Sequence, residues 1–483
     1  MRFRIVAKFL SLLVSVITAS MAFPLLWAVR DGTPDAHAFL ASISSGAVFA
    51  VLLFTIGRRA KPEDMGTREA FAAVALSWVF ASLQGALPFY FGGYVPTFTD
   101  AYFEAMSGFS TTGATVFTDI EINPRGILMW RAQTQWLGGM GIVVLTIALL
   151  PMLGVTMTQL FKAESPGPVL EKVSPRIQDM AIMLWKVYMG LTFVGVASLM
   201  LGGMDLYESI CHIFAAVSTG GFSPKNSSVG EYNSAYFDWV LTAITFIAGA
   251  NFNLLLLAIK NRSVRPYRDP EFCFYAKIVG FSTLVIAFCI YKDGFYGTVI
   301  DALRYSAFQV VSVITTTGFV TADYSKWSYF TQMLLLVLML IGGCAGSTSG
   351  AIKCVRIQIV IQQISTEIKR FLHPQAVIPV RIGEHAVEEQ KVLSAAAFIA
   401  LYLLIFFVAS VLIAATGQDV PTSLSAVAAT LGNVGPGLGQ VGPVENFESQ
   451  SMAAKWIYSF CMLCGRLELY TVLLLFSKDH WKR

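Results

Sequence analysis

Charge is scarce in this chain: 34 Lys and Arg and 30 Asp and Glu are spread over 483 residues, 13% of the sequence. A soluble domain carries roughly a quarter charged residues, so an ordinary water-soluble enzyme is excluded. Histidine is rarer still, with five copies, and His212 has no second His or Cys placed to join it at a metal. The seven cysteines are scattered, mostly inside apolar runs, so no disulfide framework is expected. Cys461 and Cys464 form a Cys-x-x-Cys, but within an apolar run they read as small packing residues. No Lys directly follows Gly346 or Gly350 in the Gly-rich stretch around them, so the phosphate-cradling loop signature fails. Nothing resembling a nucleophile and base constellation supports an enzyme embedded in the membrane.

What the chain has is apolar length. Hydrophobic residues make up 55% of it, and runs long enough to cross a bilayer fall at 8–29, 38–57, 70–92, 126–160, 178–202, 235–259, 272–292, 327–363, 389–416 and 452–476. The expected fold is an all-α polytopic membrane protein, with tilt or breaks in the longer runs. Basic residues cluster at Arg2, Arg4 and Lys8; Arg58, Arg59, Lys61 and Arg68; Lys162, Lys172 and Arg176; Lys260, Arg262, Arg265 and Arg268; Lys353, Arg356, Lys369 and Arg370; and Lys478, Lys482 and Arg483. Alternate threading puts all six clusters on one side, so both termini are expected in the cytoplasm. The other side collects Asp100, Glu104, Asp119, Glu121, Asp205, Glu208, Glu231, Asp238, Asp293, Asp301 and Asp323, an acidic face suited to attracting cations. The first apolar run continues through Leu25, Leu26 and Trp27, too far for a signal core, and is read as an uncleaved span. Trp27, Trp130, Trp136, Trp239, Trp327 and Trp481 fall near span ends and read as interface anchors.

After two leading spans the chain repeats with a period near 100 residues. Ser/Thr-Thr-Gly recurs at Thr111-Thr112-Gly113, Ser218-Thr219-Gly220 and Thr316-Thr317-Gly318, and Asn433-Val434-Gly435 is a drifted fourth copy. Before each copy stands a helix start: Thr99-Asp100, Asp205-Leu206, Asp301-Ala302 and Pro421-Thr422. The stretches between are too short to cross a bilayer. The expected architecture is two leading helices plus four units of span, short pore helix and span, in a pseudo-fourfold arrangement around one pore. The divisions are 1–68 for the leading pair and 69–177, 178–271, 272–388 and 389–483 for the repeats. Irregular backbone at that depth is tolerated where it lines water or is buried in protein. A cage of backbone carbonyls on Gly-permitted turns is what dehydrating a potassium ion requires. Gly113, Gly220, Gly318 and Gly435 are the expected narrowest ring. The competing reading makes these glycines contact points for helix packing.

Two further features stand out. Gly342-Gly343-Cys344-Ala345-Gly346-Ser347-Thr348-Ser349-Gly350 interrupts the second span of the third repeat and predicts a break, each Gly costing about 1 kcal/mol in a helix. Arg466, with Glu468, lies inside the last span. A charge there faces a cavity or partner, as a cationic barrier near a pore, or snorkels to the interface.

Taken together, Ser110-Thr111-Thr112-Gly113-Ala114-Thr115, Gly220-Gly221-Phe222-Ser223, Gly342 to Gly346, Asn433-Val434-Gly435-Pro436-Gly437 and Gly465-Arg466-Leu467-Glu468 resemble the motifs of the TrkH/KtrB/HKT superfamily of potassium transporters. The resemblance covers essentially the whole chain and, with the leading span pair, is strongest to its TrkH family. It implies a homodimer in the bacterial inner membrane with a K⁺-selective pore in each subunit. Gly113 matches the potassium-selective form of the first turn, where Ser accompanies Na⁺ passage in plant relatives. Residues 342–350 match the family's gating loop, and Arg466 matches the arginine beneath its filter. The resemblance also implies docking of a cytosolic, nucleotide-binding TrkA ring, with 162–176, 260–271 and 353–391 as candidate surfaces. Cofactors are expected on that partner rather than on this chain, and nucleic acid is not an expected partner. A K⁺/Na⁺ or K⁺/H⁺ symporter of the same fold is the alternative.

Overall fold

The computed structural model describes residues 3–61, 65–141, 177–467 and 469–477, with Thr67 and residues 177–180 described by backbone alone. The basic residues Arg2, Lys162, Lys172, Arg176, Lys478, Lys482 and Arg483, together with Trp481, Glu468 and the candidate surface 162–176, lie outside the described residues.

Among the described residues the chain is helical almost throughout. Phe3–Asp31, Asp35–Gly57, Arg68–Phe91, Ala181–Leu201, Pro270–Lys292 and Glu389–Ala414 are long and apolar enough to cross a membrane. The first two are the leading pair, packed on each other and on the third. Ser11 Oγ donates to the Ala50 carbonyl at 2.9 Å, and Gln84 Nε2 on the third helix donates to the Ser42 carbonyl at 3.0 Å. Such bonds replace the water that a bilayer withholds.

The other four long helices open the four repeats and are called rising helices here. Each is followed by a short helix: Phe98–Phe109, Leu206–Val217, Val299–Ile314 and Val420–Leu431. At 1.5 Å per residue a 12-residue helix reaches roughly 18 Å, well short of a hydrocarbon core of about 30 Å. Their N-caps are Thr97, Asp205, Thr298 and Asp419, whose side-chain oxygens accept from the first-turn amides of Asp100, Tyr207, Asp301 and Thr422. In three repeats the helix starts earlier than expected, and Asp100 and Asp301 fall at the third helical position. There Asp100 bonds back to the Thr97 amide to complete a capping box.

The returning helices differ most from expectation. Tilt or breaks were expected in the longer runs and a specific break was located in the third repeat alone, whereas the structure ends or bends the helix in all four. Arg125–Gly139 stops before Gly141, which sits at φ 71°. Ala235–Ala248 and Phe252–Asn261 meet at 97°. Tyr329–Leu340 and Cys354–Leu372 flank the Gly-rich stretch. Met452–Arg466 ends at extended Leu467. Hydropathy is blind to these breaks because apolar side chains continue through them while the backbone carbonyls turn to other partners.

Among the described residues, three buried ion pairs fasten the short helices. Arg131 Nε lies 2.7 Å from Glu104 Oε1, Lys455 Nζ lies 2.7 Å from Asp100 Oδ1, and Arg304 Nε lies 2.6 Å from Asp238 Oδ2. Asp100, Glu104 and Asp238 are therefore structural, not members of a solvent-facing acidic surface as expected. Removing one partner of such a pair costs about 3–5 kcal/mol because the other charge is left buried. Trp130 is likewise no interface anchor: it is fully buried, and its indole donates to the Gly85 carbonyl at 3.0 Å. Trp327 is buried too. A small hairpin, Arg381–Ile382 with His385–Ala386, lies at the end of the third repeat.

Candidate functional site: four turns and the loop beneath them

Each short helix ends by the same device. The residue after the cap adopts left-handed backbone: Thr111 (φ 56°), Thr219 (φ 55°), Thr316 (φ 57°) and Asn433 (φ 56°). Two backward hydrogen bonds close each turn. Thr111 N donates to Gly108 O and Thr112 N to Ser107 O, and the same pairs recur as Thr219 to Ala216 and Gly220 to Ala215, Thr316 to Val313 and Thr317 to Ser312, and Asn433 to Thr430 and Val434 to Ala429. Left-handed backbone costs an L-residue roughly 1–2 kcal/mol, and most for β-branched ones. That three of four positions carry Thr means the turn is held by its surroundings rather than by local preference.

Two residues on, Gly113, Gly221, Gly318 and Gly435 again have positive φ, at 85°, 79°, 80° and 104°. This corrects the expected ring. Gly220 occupies the place of Thr112, Thr317 and Val434, and the fourth ring glycine is Gly221. The sequence aligned Ser218-Thr219-Gly220 on its text, whereas the backbone aligns Thr219-Gly220-Gly221. The Gly-Gly pair was the available signal.

Steric closeness closes the ring. A Cβ on Gly113 would run into the Gly220 carbonyl oxygen, one on Gly221 into Thr317 O, one on Gly318 into Val434 O and one on Gly435 into Thr112 O. Each repeat thus sets its glycine against the carbonyl of the next, and the fourth returns to the first. The four ring glycines line a cavity of about 140 Å³, together with Thr115, Arg131, Ser223 and Asn446 among others. Arg131 holds this rim: it donates to Glu104, to Thr115 Oγ1 at 3.1 Å and to Ser223 O at 3.3 Å, under the ring of Phe222. Gln135 steadies the second turn by donating to Gly220 O at 2.6 Å and accepting from Phe222 N at 3.0 Å. Neither residue was singled out in the sequence. His212 is satisfied at both ring nitrogens, by Glu208 O and Ser223 Oγ.

On the side of the basic clusters the turns are covered by the interrupted stretch of the third repeat. Ile341 and Ile352 form a parallel bridge at its neck. Gly350 N donates to Thr316 Oγ1 at 2.7 Å, and Thr219 Oγ1 lies 3.3 Å from Thr348 Oγ1. Broken helices supply the remaining partners. The bend in the second repeat frees the carbonyls of Ala248 and Gly249, which accept from Thr348 N and Cys344 N. Arg466 donates to Thr348 O at 2.5 Å and to Gly138 O and Gly139 O at 2.7 and 2.8 Å, the open end of the first returning helix. Its guanidinium therefore faces the loop, and the snorkelling alternative is set aside. Asn433 Nδ2 ties the fourth turn to Thr112 Oγ1 at 2.9 Å. Among the described residues no three His, Cys, Asp or Glu side chains gather as a metal site. The oxygens available to a cation here are carbonyls and hydroxyls, including the buried Thr111 Oγ1, which has no hydrogen-bond partner among the described residues.

This chain resembles known proteins over its full length. A sequence profile described as TrkH, cation transport protein, matches residues 36–291 and 297–482. The chain belongs to the TrkH family of cation transport proteins. The Trk system potassium uptake protein TrkH of Escherichia coli K12 is 38% identical over 487 residues, and that of Halomonas elongata 37% over 486, each covering 100% of both chains. The crystal structure of the potassium transporter TrkH from Vibrio parahaemolyticus superposes with a TM-score of 0.89 at 34% identity, covering 100% of both chains. The family is one of transporters, and the leading pair and four repeats fit its fold.

Proposed function

We propose that this chain carries potassium into the cell through a channel-like pore driven by the membrane potential. The observation that carries the reading is the closed ring, in which four turns from four repeats meet glycine against carbonyl. Such a ring offers a dehydrated cation a set of oxygens that no single turn could hold at fixed spacing. Thr111, Thr112, Gly113, Thr219, Gly220, Gly221, Thr316, Thr317, Gly318, Asn433, Val434 and Gly435 form the selectivity filter. The cavity above them is its outer mouth. The short helices point their C-terminal ends, and so partial negative charge, at the ion path. Relatives carry the name potassium uptake protein, in keeping with this substrate.

The stretch 342–350 is the gate and Arg466 its partner, since the loop lies directly against Thr219 and Thr316 of two turns. The acidic face is outward, with the basic clusters and both termini in the cytoplasm of a bacterial cell, as the loop charges favour. A homodimer accords with the helix Cys354–Leu372, where Ile361, Ile364, Ile368 and Phe371 stand exposed along one stripe. A TrkA-type nucleotide-binding ring docks on the basic segments 260–271 and 353–391. A potential supplies about 2.3 kcal/mol per charge per 100 mV, enough for concentrative entry without a second ion.

The test is flux into proteoliposomes holding only this protein, under an imposed potential with no other gradient. Entry of K⁺ or Rb⁺ on potential alone, with much less Na⁺, supports the pore. Entry that needs a Na⁺ or H⁺ gradient replaces it with the symporter.

A further inference from the structure

The proposed pathway uses Arg466 and leaves another buried charge without a task. Glu271 is the second residue of the helix Pro270–Lys292 and is 9% exposed. Its Oε1 accepts from two backbone amides outside its own helix, Ala345 N at 2.7 Å and Val355 N at 3.1 Å. One amide lies within the first limb of the interrupted stretch. The other lies just past its end, in the first turn of Cys354–Leu372. A single carboxylate oxygen thus clips the two limbs together.

Charges of opposite sign hold the two kinds of backbone group. Arg466 takes the Thr348 carbonyl and Lys353 takes the Ser349 carbonyl, while Glu271 takes amides. Hydrogen bonds with one ionised partner are about twice as strong as neutral ones. Glu271 also sits where the basic face begins. Asp269 caps the same helix by accepting from Glu271 N and Phe272 N, both at 3.0 Å. The tight turn Arg265–Arg268 runs straight into that cap, and Tyr267 packs on Phe272 with ring centroids 5.0 Å apart. Residues 265–270 are thus joined, by the chain and by packing, to the helix start that carries Glu271.

We infer that Glu271 is a positioning residue for the gate: its carboxylate clips the limbs of the 342–350 loop closed and links that loop to the basic segment 265–270. The inference rests on the reading of 342–350 as the gate. Glu271 touches neither the filter turns nor the cavity above them, so it governs how often the path opens and not what passes.

The experiment is single-channel recording of the purified full-length protein in planar bilayers, comparing Glu271→Ala, Glu271→Gln and a deletion of Gly343–Gly350. Glu271→Ala raises open probability about tenfold, the worth of a charge-assisted hydrogen bond, at unchanged unitary conductance and unchanged K⁺/Na⁺ permeability ratio. Glu271→Gln keeps an acceptor oxygen without the charge and falls in between. Where Glu271→Ala yields no monodisperse protein, the Gln variant decides alone. Unchanged open probability, or a change in permeability ratio, overturns the inference. If the loop deletion itself leaves opening unchanged, the gate reading has failed. If the deletion opens the path and the Glu271 variants do not, only the role of Glu271 has failed.

Discussion

The ring of turns and the loop beneath it lie in contact, yet they are built on opposite plans. Every repeat contributes to the ring, in the same backbone conformation and through the same pair of backward hydrogen bonds. The loop comes from one repeat alone, and side chains of unlike charge, Arg466 from the fourth repeat and Glu271 from its own, fasten it beside a few backbone bonds to the second. A ring closed by backbone against backbone can change only if several repeats move together. A loop held by single side chains can be released one bond at a time. On the proposed reading, fixed selectivity and adjustable opening sit within a few ångströms, on structures that differ in how many contacts must break.

The strongest challenge to that contrast is a methyl group in the ring. Gly318→Ala and Gly221→Ala set a Cβ against a backbone carbonyl at positive φ, and both abolish potassium uptake in a strain that depends on it. Gly220→Ala meets the Gln135 side chain instead, which can shift, and retains measurable uptake. Equal loss at Gly220 and Gly221 would undo the register assigned to the second turn. Gly113→Ser sets a Cβ against the Gly220 carbonyl in the same way and cuts uptake likewise, and the flux that survives shows K⁺/Na⁺ discrimination relaxed by about tenfold, or about 1.4 kcal/mol, in permeability measurements.

Next in size is the rim. Arg131→Met strands Glu104 in the interior and lowers stability by about 3–5 kcal/mol, read as a fall in the melting temperature of the detergent-solubilised protein. Deleting Gly343–Gly350 tests the other half of the contrast: it raises Rb⁺ flux into proteoliposomes while the ion preference stays put. A deletion that alters preference as much as flux would show that loop and ring are one device.

The smallest effect belongs to a single hydroxyl. Thr348→Val removes a hydroxyl whose one proton is shared between Val217 O and Ala248 O and which accepts from Thr219 at 3.3 Å; with contacts this long the net loss is about 1 kcal/mol, and flux rises a few-fold at constant permeability ratio.

The class of protein, the four repeats and the interruption at 342–350 were legible in the sequence, because hydropathy, glycine and helix-capping residues act over a few neighbours in the chain. The ring register was not. Ser218-Thr219-Gly220 matches the other copies letter for letter, but the left-handed residue is fixed by where the short helix ends, and that placed Gly221 in the ring. The breaks in the first, second and fourth returning helices were hidden for a related reason. The freed carbonyls of the first accept from Arg466 and those of the second from loop amides, each belonging to another repeat. The fates of Asp100, Glu104 and Asp238, read as surface charge and found in buried pairs, depended on Lys455, Arg131 and Arg304, two of them in other repeats. Sequence by itself determined what each segment prefers. Tertiary structure alone decided which donors met which acceptors, since those bonds join residues up to 355 positions apart and form only once the repeats have closed around one axis.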